Sequence, residues 1–136
     1  MKLYMLDANP LRHIVQRDSG FEGIAANIER IGVERITISA VAAAELHITI
    51  NSKTNQRAHR EQLAALLRYF RVEQFTKRAA EMAGIIQAAA RNKGRQMPSP
   101  DYLIAAHAIT LDRTLVSDDK DYVGVPGLKL ENWIHR

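Results

Sequence analysis

The sequence predicts an α/β fold, a short parallel sheet of about five strands flanked by helices, on three observations. Short apolar or β-branched runs alternate with longer stretches of helical periodicity. The first of these runs is apolar on both faces, as a strand covered by helices above and below must be. The chain has 136 residues, 46% of them apolar and 25% charged, which suits one core, so residues 1–136 are expected to form one domain.

Lys2-Leu3-Tyr4-Met5-Leu6 is the first strand, and Asp7-Ala8-Asn9-Pro10 is a turn-and-cap cluster that starts a helix carrying Leu11, Ile14 and Val15. After Asp18-Ser19-Gly20, a second helix places Phe21, Ile24, Ala25, Ile28 and Ile31 at helical spacing and stops at Gly32. Arg35 to Ser39 is β-branched and reads as the second strand, whereas Val41 to Leu46 is too rich in alanine to be anything but helix. A polar connector over Asn51 to Asn55 leads to an amphipathic helix, Arg57 to Phe70, and then to a short strand over Val72 to Phe75. Lys77 to Asn92 is a long helix closed by Lys93-Gly94. Ser99 as N-cap, Pro100 at the first helical position and Asp101 in the first turn open the helix Tyr102 to Leu111. Thr114 to Ser117 is a fourth strand and Leu128 to Leu130 a weak fifth.

Composition removes several function classes. There is no cysteine, so disulfide scaffolds, thiolate zinc sites and cysteine nucleophiles are excluded, and a reducing cytoplasm is expected. Met1 to Leu6 is too short for the apolar region of a signal peptide, and no run is long enough to span a membrane. Phosphate loops of the G-x-x-x-x-G-K-[ST] type, G-x-G-x-x-G and G-x-S-x-G are absent, as is H-E-x-x-H. The histidines, at 13, 47, 59, 107 and 135, are scattered and read as surface or core residues. The net charge is +4, which permits an anionic partner. Its distribution is uneven: between Asn51 and Arg95 ten Lys or Arg stand against three acids.

The acids gather elsewhere, and the fold class says where they meet. Ligand crevices in open parallel sheets lie beyond the carboxyl ends of the strands, where strand order switches. Asp7 follows the first strand, Asp118, Asp119 and Asp121 follow the fourth, Glu45 lies early in the helix after the second, and Asp101 opens another helix. Each has an ordinary alternative. Asp7 is a plausible helix cap, Asp101 complements a helix dipole, and Asp118 to Asp121 resembles a polar turn. Glu45 is harder to dismiss, being the only charge between Arg35 and Lys53 and embedded among alanines and aliphatics. Carboxylates converging from separate segments call for a hard divalent cation, Mg²⁺ or Mn²⁺, and such a centre suits phosphodiester hydrolysis.

In order along the chain, the same residues resemble the VapC-type ribonuclease toxins of toxin–antitoxin pairs, which have the PIN-domain fold. Met5-Leu6-Asp7-Ala8-Asn9 resembles the family's L-D-T-N, and Ile38-Ser39 through Glu45-Leu46 its I-S-x-x-x-x-x-E-L. Pro100 to Ala108 is similar to its D-x-x-I-A-A-H-A helix, Thr114 to Tyr122 to T-L-V-T-x-D-x-D-F, and Val125-Pro126-Gly127-Leu128 to Trp133 to V-P-G-L…N-W. The resemblance implies a PIN-like three-layer sandwich and a metal-dependent endoribonuclease. It implies Asp7, Glu45, Asp101 and Asp119 as catalytic and metal-binding residues, with Asp121 a possible fifth acid and Asn9 and Ser117 their hydrogen-bond partners. An RNA substrate, Mg²⁺ or Mn²⁺, a homodimer and a cognate antitoxin protein are implied as well. Ala8 and Ala42 replace hydroxyl residues common in the family, and Ser99 a frequent glycine. The alternative is therefore a catalytically weakened module that binds RNA or a partner protein.

Overall fold

A computed structural model describes residues 1–52, 54 and 57–134. Lys53, His135 and most of the connector before residue 57 lie outside the described residues. The chain runs β1 (Tyr4–Leu6), α1 (Ala8–Gln16), α2 (Phe21–Ile31), a 3-10 turn (Val33–Arg35), β2 (Ile36–Ser39), α3 (Ala40–Asn51) and α4 (Arg57–Tyr69). It continues through β3 (Arg71–Glu73), α5 (Lys77–Asn92), α6 (Asp101–Thr110), β4 (Thr114–Val116), a second 3-10 turn (Lys120–Tyr122) and β5 (Lys129–Glu131).

All strand pairings are parallel, and the order across the sheet is β3-β2-β1-β4-β5. The flanking helices make this the predicted PIN-like α/β sandwich. The central strand β1 pairs Leu6 with Ile38 of β2 and with Val116 of β4. Met5, Leu6, Ile38, Leu115 and Val116 are wholly buried, which is why these runs are apolar at consecutive positions and show no alternation. From β1 the chain moves outward to β2 and β3 and then returns to lay β4 on the other side of β1. The switch in strand order therefore falls between β1 and β4, and the residues that leave these strands face a common crevice.

Two expectations at element ends are corrected. Ser99 does not cap α6: the helix begins at Asp101, Pro100 occupies the capping position without a side-chain bond, and the Ser99–Pro100 peptide is cis. Backbone carbonyls do the work instead, Pro100 accepting from the N–H groups of Leu103 and Ile104. The third strand is Arg71–Glu73 and not Val72–Phe75. It is a largely exposed edge, and Phe75 has left it to set its ring edge-on to His107, centroids 5.4 Å apart. The helix after β2 also runs beyond Leu46 to Asn51, the Thr49 hydroxyl donating to the Glu45 carbonyl within it at 3.0 Å.

Candidate metal centre

Asp7 is the first residue beyond β1, and its N–H donates to the Val116 carbonyl of β4 at 3.1 Å, so it continues the sheet into the crevice. It stands at the N-cap of α1 without a side-chain capping bond. Its carboxylate instead accepts from the Ser117 hydroxyl at 2.8 Å and from the Tyr122 hydroxyl at 3.3 Å. That settles the choice left open by the sequence against simple capping. The group is 4% exposed. Burial raises its pKa above the ordinary carboxylate range, opposed by the Ala8 amide and both hydroxyls and reinforced by the charge on Asp119.

Asp101, Asp119 and Asp121 converge from α6 and the segment after β4, each offering a carboxylate oxygen within 4.8 Å of the others. Asp119 is placed by its neighbours: its N–H donates to Ser117 Oγ at 3.1 Å, and its side chain caps the second 3-10 turn by accepting from the Asp121 N–H at 2.9 Å. The same acidic turn is thus both a structural cap and part of the cluster. Asp118 points differently, accepting from the Asn9 amide at 3.3 Å. For Asp101, burial and the charges of Asp119 and Asp7, with Asp121 beside it, push the pKa up to about 7. Like charges and desolvation here outweigh the helix N-terminus, which favours the ionised form.

Glu45 projects from the second turn of α3 and is half-buried. Burial raises its pKa, the charges on Asp7 and Asp119 raise it further, and the Arg12 guanidinium, 3.9 Å away, draws it back. Arg12 is itself held by Asn9, Nη1 donating to the amide oxygen at 2.5 Å. The structure therefore brings the predicted Asp7, Glu45, Asp101 and Asp119, with Asp121, into one electrostatic cluster. Among the described residues, only the trio of Asp101, Asp119 and Asp121 meets the spacing of shared ligands as the side chains stand.

Sequence reasoning missed Tyr122 and Arg12. The Tyr122 hydroxyl sits between Asp7, at 3.3 Å, and Asp101, at 3.4 Å, and burial raises its pKa above that of an ordinary phenol. Its only signal was position, next to Asp121 in a turn that already looked functional. Arg12 carried no signal beyond lying one helical turn after Asn9. Among the histidines, His107 is a core residue, wholly buried.

The donor set is made of carboxylate oxygens gathered from separate segments, and this fits a hard divalent cation. No described helix is long and apolar enough to cross a membrane. Such an acid-lined crevice at the switch point of a parallel sheet defines the class of protein, a small α/β domain with an acidic cluster capable of coordinating a metal ion. The chain belongs to the PIN domain family, which it matches over residues 4–128, and it closely resembles the VapC toxins of toxin–antitoxin systems. It is 28% identical over 135 residues to "Ribonuclease VapC2" of Rickettsia felis, covering 96% of this chain and 98% of that protein. The crystal structure of VapBC2 from Rickettsia felis, bound to a DNA fragment from its promoter, superposes with a TM-score of 0.84 at 25% identity, over 96% of this chain and 98% of that one. A DNA-bound VapBC from Salmonella typhimurium shares the fold, with a TM-score of 0.89 at 22% identity over 98% and 99% of the two chains.

Proposed function

We propose that this protein is a metal-dependent endoribonuclease that hydrolyses RNA phosphodiester bonds in the cytoplasm. In this reading it is the toxin of a toxin–antitoxin pair, works as a homodimer and is restrained by a cognate antitoxin protein. The observation that carries the reading is the convergence of Asp7, Glu45, Asp101, Asp119 and Asp121 at the switch point of the sheet, within a PIN domain. Asp7, Glu45, Asp101 and Asp119 would hold Mg²⁺ or Mn²⁺, with Asp121 beside them. Bound there, the ion would supply Lewis-acid polarisation and lower the pKa of water.

The chain's own residues do the rest. Ser117 and Tyr122 orient the Asp7 carboxylate and satisfy its buried oxygens, so that it stays aimed into the crevice. These hydroxyls provide the support that Ala8 and Ala42, both buried, do not. Arg12, at the rim and partly open to solvent, sets a positive charge beside the acids where a polyanionic strand would pass.

The test is incubation of the purified, antitoxin-free chain with total cellular RNA in Mg²⁺ and in Mn²⁺, against EDTA and an Asp7→Asn variant. Cleavage that is lost in both controls is expected. A folded protein that binds RNA without cutting it in either metal would refute the assignment in favour of a binding module.

A further inference from the structure

His107 lies six residues beyond Asp101 on α6, and its wholly buried imidazole meets the start of α3, so it touches two elements on which the crevice depends. Its Nδ1 is 2.9 Å from the Ser39 hydroxyl. That same oxygen already accepts from the Val41 N–H at 3.1 Å and so caps α3, the helix that carries Glu45. A serine hydroxyl has one proton to give. The imidazole is neutral, because burial lowers its pKa against the pull of the Gln74 backbone and of Glu73. We assign the one proton of the neutral ring to Nε2, so that Ser39 donates and Nδ1 accepts. Phe75, edge-on at 5.4 Å, packs against the ring. His107 also rides on α6, the helix that Asp101 opens, and α3 and α6 pack against each other.

We propose that His107 is a positioning residue for Glu45: by taking the Ser39 proton it fixes the rotamer that caps α3, and so holds the Glu45 carboxylate in register with Asp101 on α6. The proposal rests on the metal-centre reading above. Without the acceptor, the Ser39 hydroxyl is free to turn away from Val41, the first turn of α3 loosens, and a ligand carboxylate on its second turn loses its fixed place.

The experiment measures Mn²⁺ affinity by calorimetry and amide hydrogen exchange at Val41. It compares wild type, His107→Leu and His107→Asn, with the leucine change repeated in a Glu45→Gln background. Asparagine puts an acceptor oxygen where Nδ1 was. His107→Leu is expected to weaken Mn²⁺ binding by about tenfold, in the range found when a ligand's supporting partner is lost, and to speed exchange at Val41. His107→Asn is expected to restore both. In the Glu45→Gln background the leucine change should cost no further affinity, since the carboxylate it acts through is gone.

Wild-type affinity in His107→Leu, failure of His107→Asn to rescue, or an undiminished loss in the Glu45→Gln background would each overturn the proposal. Should wild type bind no Mn²⁺, the metal-centre reading falls. Exchange at Val41 then decides the link by itself, unchanged rates in His107→Leu overturning it. If His107→Leu does not fold, Ser39→Ala removes the same bond with a smaller loss of volume and is judged by the same two measurements.

Discussion

Replacing Asp101 with asparagine should stabilise the metal-free protein, and the gain should grow with pH. Asp101 has its pKa raised from 3.8 to about 7 in the folded state by burial and by Asp119 and Asp7. Between those two values the folded state holds a proton that the unfolded state has released, so this group's favourable contribution is complete below 3.8 and is lost as pH rises through about 7. At about 1.4 kcal/mol per pH unit the upper limit is about 4 kcal/mol. Asp101 is only partly buried, and solvent screening reduces that to about 1–2 kcal/mol. Asparagine keeps the shape and carries no charge, so Asp101→Asn should melt about 3–8 °C above wild type at pH 8 in EDTA. The difference should shrink as the pH is lowered toward 4. Thermal unfolding followed by circular dichroism across this range is the assay. An advantage that does not vary with pH, or a less stable variant at pH 8, would refute the argument from carboxylate repulsion.

Further outcomes follow from the same contacts. Tyr122→Phe removes the hydroxyl between Asp7 and Asp101. Since that hydroxyl holds down the raised pKa of Asp7, Mn²⁺ affinity should fall by about tenfold, and by more at pH 6 than at pH 8, in titrations at the two pH values. Gln87, buried on α5, donates to the Met97 carbonyl at 2.9 Å and accepts from the Met97 N–H at 3.0 Å. Gln87→Met leaves both backbone groups unpaired and should cost about 2–4 kcal/mol in urea unfolding. Leu115→Ala in β4, at a wholly buried position, should cost about 2–5 kcal/mol with an unchanged denaturant slope.

The central strands were legible in the sequence because burial on both faces leaves a plain signature, as in Tyr4-Met5-Leu6 and Ile36-Thr37-Ile38. At the edge that signature fades. Arg71–Glu73 pairs with β2 through its backbone while its side chains stay largely in solvent, so composition could not mark its end. The helix starts at Phe21 and Lys77 were legible from periodicity and composition, whereas at α6 the capping role expected of Ser99 falls to backbone carbonyls. The acids were found because the ends of β1 and β4 are predictable places. Among their partners, Ser117 was named through the family resemblance and does donate to Asp7, whereas Tyr122, which reaches Asp7 across 115 positions, was not, because a contact at that range exists only once the sheet is assembled. Arg12 and His107 are likewise defined by what the packing of α1, α3 and α6 sets beside them.

The claim that the carboxylates form a divalent-metal centre is tested most directly by calorimetric titration of the metal-free protein with Mn²⁺ at pH 7.5, wild type beside Asp7→Asn. Saturable binding by wild type, weakened at least tenfold in a folded Asp7→Asn protein, is the predicted result. Equal affinity in the two proteins, or no binding by wild type at millimolar Mn²⁺, would contradict it.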